Sequence, residues 1–229
     1  MFPRIGVRLP GVTIGPKRLT AAALDVGDLP PIDLVLLSHT RFDHFDLRTL
    51  HCLPQTADVI TALRTLDLLR WKNFREKTEL RWGEEKIICR DDRALRVRAF
   101  PVKHWGARMR TDNYRDYNGY ILERDGQRII FAGNTAFTDS FEALNDGRRF
   151  ALAIIPIGAY DPWIRSHARP EQAIGMAHAA GADQIMPVHH QTFRLSAEPF
   201  REPIARFEAA LQRAPERIAT REIGETFQL

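Results

Sequence analysis

Cysteine is nearly absent: the 229 residues hold only Cys52 and Cys89. Two thiols build no disulfide framework, and both are expected to be free and partly buried. Long hydrophobic runs are missing too. The most apolar stretches, such as Ala151–Ile155, are far too short to cross a bilayer, which excludes a helical membrane span. The first twenty residues, MFPRIGVRLPGVTIGPKRLT, are basic but broken by Gly and Pro and contain no continuous apolar core. They do not read as a signal peptide, and a cytoplasmic location is the resulting expectation. Charge of one sign is lacking as well. The 33 basic and 29 acidic residues are interspersed, for a net +4. That balance favours small anionic partners weakly. With no basic block and no aromatic stacking platform in the sequence, it argues against a nucleic-acid binder. No repeat, low-complexity tract or linker divides the chain, so residues 1–229 are expected to form a single domain, and a hydrophobic content of 44% is enough to build its core.

What is present is an alternation of short apolar runs and helical patterns, the mark of an α/β architecture. Strands are expected at Ile32–Ser38, Ala57–Thr61, Lys86–Arg90, Leu95–Val102, Gly119–Glu123, Arg128–Ala132, Ala151–Ile157 and Gln184–Val188, with a last one at Arg217–Ile223. Asp125-Gly126 supplies a hairpin turn. Helices are expected at Ala62–Trp71, where Leu63, Leu66 and Leu69 recur at helical spacing, at Pro170–Ala180, and at Pro203–Gln212. Pro170 and Pro203 suit first turns, and Gly181 suits a C-terminal stop.

The informative residues stand just past the strand ends. Leu34–Leu37 runs into Ser38-His39-Thr40-Arg41-Phe42-Asp43-His44, and Val97–Val102 into Lys103-His104-Trp105. Ile129–Ala132 runs into Gly133-Asn134-Thr135, Ile154–Ile157 into a loop that reaches His167, and Ile185–Val188 into His189-His190. A single histidine after a strand is an ordinary hydrogen-bonded loop residue. Imidazoles and a carboxylate at several strand ends are different, because α/β sheets place their sites beyond the carboxyl ends of strands. A zinc-like ion needs such a compact set of neutral nitrogen and anionic oxygen ligands.

These motifs resemble the metallo-β-lactamase fold superfamily, whose hallmark His-x-His-x-Asp-His reads here as His39-Thr40-Arg41-Phe42-Asp43-His44. Gly15-Pro16-Lys17-Arg18, Pro156-Ile157-Gly158-Ala159-Tyr160 and the stretch from Gln191 to Pro199 narrow the resemblance to the branch of N-acylphosphatidylethanolamine phospholipase D and its bacterial relatives. The resemblance implies a four-layer αββα sandwich with metal held between the edges of two sheets. It implies that His39 and His104 belong to a first metal site. Asp43, His44 and His189 then belong to a second, with Asn134 at the place of the bridging carboxylate and His167 lining the pocket.

Two departures bear on the chemistry. Arg41 stands where the family has a histidine, and Asn134 where it has an aspartate. Arginine is not a metal ligand, and its charge is expected to occupy the place of the first metal. Asparagine offers only a neutral carbonyl oxygen. The expectation is therefore at most one metal, zinc first, with iron or manganese as alternatives. The implied function is hydrolysis of an ester or phosphodiester in a small or lipid-like anionic substrate. Asp43 would hold the metal or handle the proton, His167 would orient substrate, and Arg41 would stabilise an oxyanion. The alternative is a non-catalytic relative that keeps the fold for binding or assembly. The family also carries strands before the Gly-Pro-Lys-Arg stretch that have no counterpart here. The N-terminal sheet is thus expected to lack its leading strands, leaving an unpaired edge or an uncovered core, and either a second subunit covers it or this start does not represent the full ancestral domain.

Overall fold

The computed structural model describes residues 3–229. The chain opens with an antiparallel ribbon of β1 (Val7–Leu9) and β2 (Val12–Ile14), closed at Pro10-Gly11, where Gly11 takes the left-handed conformation (φ 76°) that the turn needs. β3 (Leu34–Leu37), β4 (Asp58–Ala62) and β5 (Glu76–Leu80) form a parallel three-stranded sheet in that order. Between β3 and β4 lies α1 (Leu47–Cys52), capped by the Asp46 side chain, which accepts from the Thr49 N–H.

The larger sheet holds β6 (Glu85–Arg90), β7 (Arg93–Phe100), β8 (Gly119–Arg124), β9 (Gln127–Phe131), β10 (Phe150–Pro156) and β11 (Ala182–Val188). Its spatial order is the same as its chain order. β6 to β9 are antiparallel neighbours, whereas β9, β10 and β11 run parallel. β7 therefore points the same way as β9, β10 and β11, and the carboxyl ends of these strands share one edge of the sheet. β10 and β11 are joined by α2 (Pro170–Ala179), and α3 (Glu202–Ala210) follows β11.

Three apolar clusters separate four layers. Ile155, Ile185, Met176 and Phe207 belong to the cluster between the large sheet and α2 and α3. Ile60, Leu80, Val97 and Tyr120 close the space between the two sheets. Phe45, Leu50, Val59 and Leu69 pack on the outer face of the small sheet. This is the αββα sandwich. The small sheet packs against β6 to β8 and reaches β9 at Phe131. Among the described residues its edge strand β3 pairs only with β4, and the β1–β2 ribbon forms a sheet of its own. Over the rest of the inner face, Ile154 and Val188 are left half-buried beside residues 22–29.

Several expectations are corrected. The helix over Ala62–Trp71 is only a 3₁₀ turn at Leu66–Leu69. Ala62 completes β4, Arg64 adopts φ 64°, and the Glu79 carboxylate accepts from the N–H groups of Thr65 and Leu66, tying the segment to β5. Its leucine spacing serves packing, with Leu69 fully buried, rather than a helix. The strand over Arg217–Ile223 is reduced to a bridge between Ile218 and Ile185 after a turn at Pro215–Arg217. β5 carries no strong strand signal, because its sequence EKTEL is charged; it forms because β4 offers an edge to pair with. Both cysteines are exposed, not partly buried: Cys52 ends α1, and Cys89 faces outward from edge strand β6. Among the described residues no helix is long and apolar enough to cross a membrane.

Candidate metal centre

Five strand ends meet at the upper edges of the two sheets. Hydrogen bonds to the end of β3 set their spacing: the Asn118 N–H donates to the Ser38 carbonyl at 2.8 Å, and the Tyr120 side-chain hydroxyl to the Leu37 carbonyl at 3.0 Å, clamping β3 against β8. Gly133 lets the end of β9 close onto the same point. It takes φ 61°, and a Cβ there would lie 2.5 Å from the Ser38 Cβ. Gly158, beyond β10, plays the matching part for the last strand, since its Cβ would lie 2.4 Å from the His189 carbonyl oxygen. His189 itself is left-handed (φ 63°), a conformation that costs energy in a non-glycine residue and turns its ring back over the sheet edge.

The result brings His39, Asp43, His44, His104, Asn134, His167 and His189 into one cluster. Ring centroids lie 4.3 Å apart for His39 and His44, 4.5 Å for His39 and His104, and 5.2 Å for His44 and His189. Asp43 Oδ2 is 3.2 Å from His189 Nε2 and 3.4 Å from His44 Nε2. Asn134 Nδ2 faces the Nε2 atoms of His44, His189 and His167 at 3.0, 3.3 and 3.4 Å. His167, expected to line the pocket, is buried against Asn134 and within 5.1 Å of the His104 ring. His190 turns away and donates from Nε2 to the Pro187 carbonyl.

Arg41 does not enter the cluster. It is exposed, and its guanidinium lies 5.3 Å from the ring centroid of Trp105. The expectation that its charge fills the first site is therefore corrected: stacking on an exposed indole keeps the guanidinium hydrated, whereas the buried cavity would strip it.

The donor set fits a cation. An amide nitrogen has two hydrogens, yet Asn134 Nδ2 faces three ring nitrogens, so lone pairs outnumber the hydrogens between them. Asn134 Oδ1 and the Nε2 atoms of His39 and His104 are buried without a hydrogen-bond partner. His104 donates from Nδ1 to the Ser166 carbonyl at 2.9 Å, which leaves the Nε2 lone pair facing inward, the arrangement of a ligand oriented from behind. Ser38 Oγ stands 2.9 Å from His39 Nδ1 in the same way. Ligand atoms of Asp43, His44 and His189 all lie within 4.8 Å of one another and could hold one ion. His39 and His104 offer two more nitrogens but no anionic partner. Neither Ser38 nor the Ser166 carbonyl announces itself in the sequence, because each acts through tertiary contact.

Electrostatics keep these candidate donors deprotonated. Burial, reinforced by the neighbouring His44 and His104, holds His39 well below the usual histidine range. Burial takes His104 down to about 3 against the opposing bond to Ser166, and takes His167 down to about 2. Burial alone would raise Asp43, but His44 and His189 outweigh it and hold the carboxyl well below its ordinary value. These shifts predict a pH dependence for chelator-treated protein. Below pH ~6.5 the unfolded chain binds protons that the buried histidines refuse, so stability present above that pH is lost as pH falls toward about 3. Each of His104 and His167 should cost about 1 kcal/mol between pH ~7.5 and ~5.5, and His39 shifts stability in the same direction. Urea unfolding at the two pH values measures this, and equal stabilities would show that the rings are not held neutral.

Beside the cluster opens a cavity of about 570 Å³. Asp43, His44, Asn134 and His189 form one wall, and Leu24, Val26, Leu29, Phe131, Ile154 and Leu195 are among the apolar residues of the others. No sequence signal marks it, since residues 22–29 are largely irregular and acquire their role only by lying over β9 to β11.

A histidine-rich cluster with a single carboxylate, seated between the edges of two sheets in an αββα sandwich, defines a metallohydrolase-type scaffold. Residues 9–190 match the beta-lactamase superfamily domain, and the chain belongs to the metallo-β-lactamase superfamily. An uncharacterized protein of Mycobacterium tuberculosis is 32% identical over 219 residues, covering 91% of this chain and 57% of that protein. The N-acyl-phosphatidylethanolamine-hydrolyzing phospholipase D 1 of Caenorhabditis elegans is 29% identical over 204 residues, covering 82% of this chain and 57% of the relative. The chain thus spans little more than half the length of these relatives. Among solved structures, the isothiocyanate hydrolase from Delia radicum gut bacteria has a TM-score of 0.69 at 17% identity, covering 90% of this chain and 80% of that one, a likeness of fold alone.

Proposed function

We propose that the chain is a metal-dependent hydrolase that cleaves an ester or phosphodiester in a lipid-like anionic substrate, with one cation held by Asp43, His44 and His189. The observation that carries this reading is the apolar cavity of about 570 Å³ whose polar wall is made of Asp43, His44, Asn134 and His189. Such a shape seats an apolar chain and presents its polar end to the cluster. Zinc suits the set of two nitrogens and one carboxylate oxygen, with iron and manganese as alternatives. When bound, the cation supplies a water nucleophile at neutral pH and polarises the scissile group.

The chain's own residues do the rest. The apolar walls exclude bulk water and orient the substrate. Asn134, with His167 behind it, presents the amide oxygen or nitrogen to the polar end. Arg41, exposed and held on Trp105 outside the cluster, adds a positive charge that attracts an anionic substrate. A second reading, a non-catalytic relative that binds without turnover, is favoured by one feature: Asn134 leaves His39 and His104 without an anionic ligand.

Cleavage of p-nitrophenyl esters of short and long acyl chains, and of bis-p-nitrophenyl phosphate, tests the proposal. Leu24 is 52% exposed, so the chain tolerates a charge there. Leu24→Glu should raise KM for the long-chain ester about tenfold and leave the short-chain ester unchanged. Equal effects on both esters would mean that the cavity does not seat the acyl chain, and no hydrolysis of any of these substrates by the metal-loaded chain would favour the second reading.

A further inference from the structure

The loops that carry His104, Asn134 and His167 also carry large apolar side chains that reach the solvent, Trp105 while stacking one face of its ring on His104 at 5.6 Å. Trp105 directly follows His104, Phe137 lies three residues after Asn134, and Trp163 and Ile164 precede His167. Their exposures run from 37% to 48%. They form one surface. The Trp105 and Trp163 rings are 6.3 Å apart in an edge-to-face arrangement. The Ala136 N–H donates to the Lys103 carbonyl, setting Phe137 beside the same strand end, and the Ala168 N–H donates to the Thr135 carbonyl, joining the third loop. Arg41, Lys103 and Arg165 rim the surface, all are exposed, and none has an acidic partner among the described residues.

We propose that this surface docks onto an anionic lipid bilayer, with Trp105, Phe137, Trp163 and Ile164 entering the interface and Arg41, Lys103 and Arg165 resting on lipid phosphates. Tryptophan suits the headgroup level, since its ring is apolar and its N–H stays wet, and cations beside it find phosphate there. Stacking bases on single-stranded nucleic acid would use the rings but not Ile164, which offers no π-face. Asp139 and Asp161, each two residues from the patch, temper its charge, so apolar insertion carries most of the affinity. The surface is carried by the same three loops as His104, Asn134 and His167, so docking sets that strand-end edge of the fold toward the bilayer. Docking depends on exposure and side-chain chemistry alone, whether or not the centre hydrolyses anything.

Co-sedimentation with vesicles tests it, using phosphatidylcholine alone and phosphatidylcholine mixed with phosphatidylglycerol. The chain should partition onto the mixed vesicles and less onto the neutral ones. Trp163→Ala with Ile164→Ala should weaken partitioning at least about tenfold at an unchanged thermal midpoint. Phe137→Ser, on a different loop, should weaken it separately and keeps the test valid if the first variant fails to fold. In a Trp71→Phe, Trp82→Phe background, lipids carrying a quencher should quench the remaining tryptophan emission. Absence of partitioning onto mixed vesicles, or equal partitioning by wild type and both variants, overturns the proposal. So does binding of a single-stranded oligonucleotide, or dimerisation in sedimentation, that depends on these residues in place of vesicle binding.

Discussion

Restoring the two family residues together, Arg41→His with Asn134→Asp, should raise the metal content from one equivalent to two. His39 and His104 already present buried Nε2 atoms without hydrogen-bond partners, their rings 4.5 Å apart. An imidazole at position 41 adds a third nitrogen, and a carboxylate at position 134 adds the missing bridge. Each change alone should do little. Arg41→His gives up an exposed stack on Trp105 and a charge that attracts the anionic substrate, and leaves the site without an anion. Asn134→Asp buries a new carboxylate against ring nitrogens at 3.0, 3.3 and 3.4 Å, which should draw a proton onto one of those rings in place of a second cation. The changes share one cavity, so their effects should be strongly non-additive. Zinc retained after dialysis and cleavage of bis-p-nitrophenyl phosphate are the readouts, with the double variant exceeding either single one about tenfold in rate. A double variant that binds no more zinc than wild type would show that the shape of the cavity, and not residues 41 and 134, limits the first site.

Asp43→Ala should abolish metal retention. Asp43 is the one carboxylate of the cluster, in contact with both His44 and His189. Its removal leaves only neutral donors, which attract a divalent ion far less than a set that includes an anion. Zinc affinity in a competition with a chromogenic chelator should fall by more than about 100-fold, beyond what loss of a supporting contact alone brings. Hydrolysis should fall with it. His190→Ala is the matching control, because that ring bonds to the Pro187 carbonyl and not to the cluster. If Asp43→Ala keeps its metal and His190→Ala loses it, the ligand set has been misassigned.

The strand ends are legible in the sequence because two independent patterns coincide there. An apolar run of strand length leads into a side chain with lone pairs, and this holds at His39, His104, Asn134 and His189. The neutral state of the buried rings and the Ser166 carbonyl behind His104 are not legible, because both arise from tertiary contact. The direction of Arg41 is hidden for the same reason: its sequence position is at the site, but its side chain finds Trp105 outside. Local pattern also fails at Leu66 and Leu69, whose helical spacing is met by a turn anchored to Glu79. The cavity beside the cluster has no signature at all, since residues 22–29 become a wall only by covering β9 to β11.

The most direct test of a one-metal centre is the metal content of the purified, unaltered chain after dialysis, read by elemental analysis together with protein concentration. One equivalent of zinc, iron or manganese per chain is the expected result, because one carboxylate and two imidazoles converge at Asp43, His44 and His189 while the first site lacks an anion. No metal, even after incubation with each of these ions, would contradict a hydrolytic centre. Two equivalents would contradict the role given to Arg41 and Asn134.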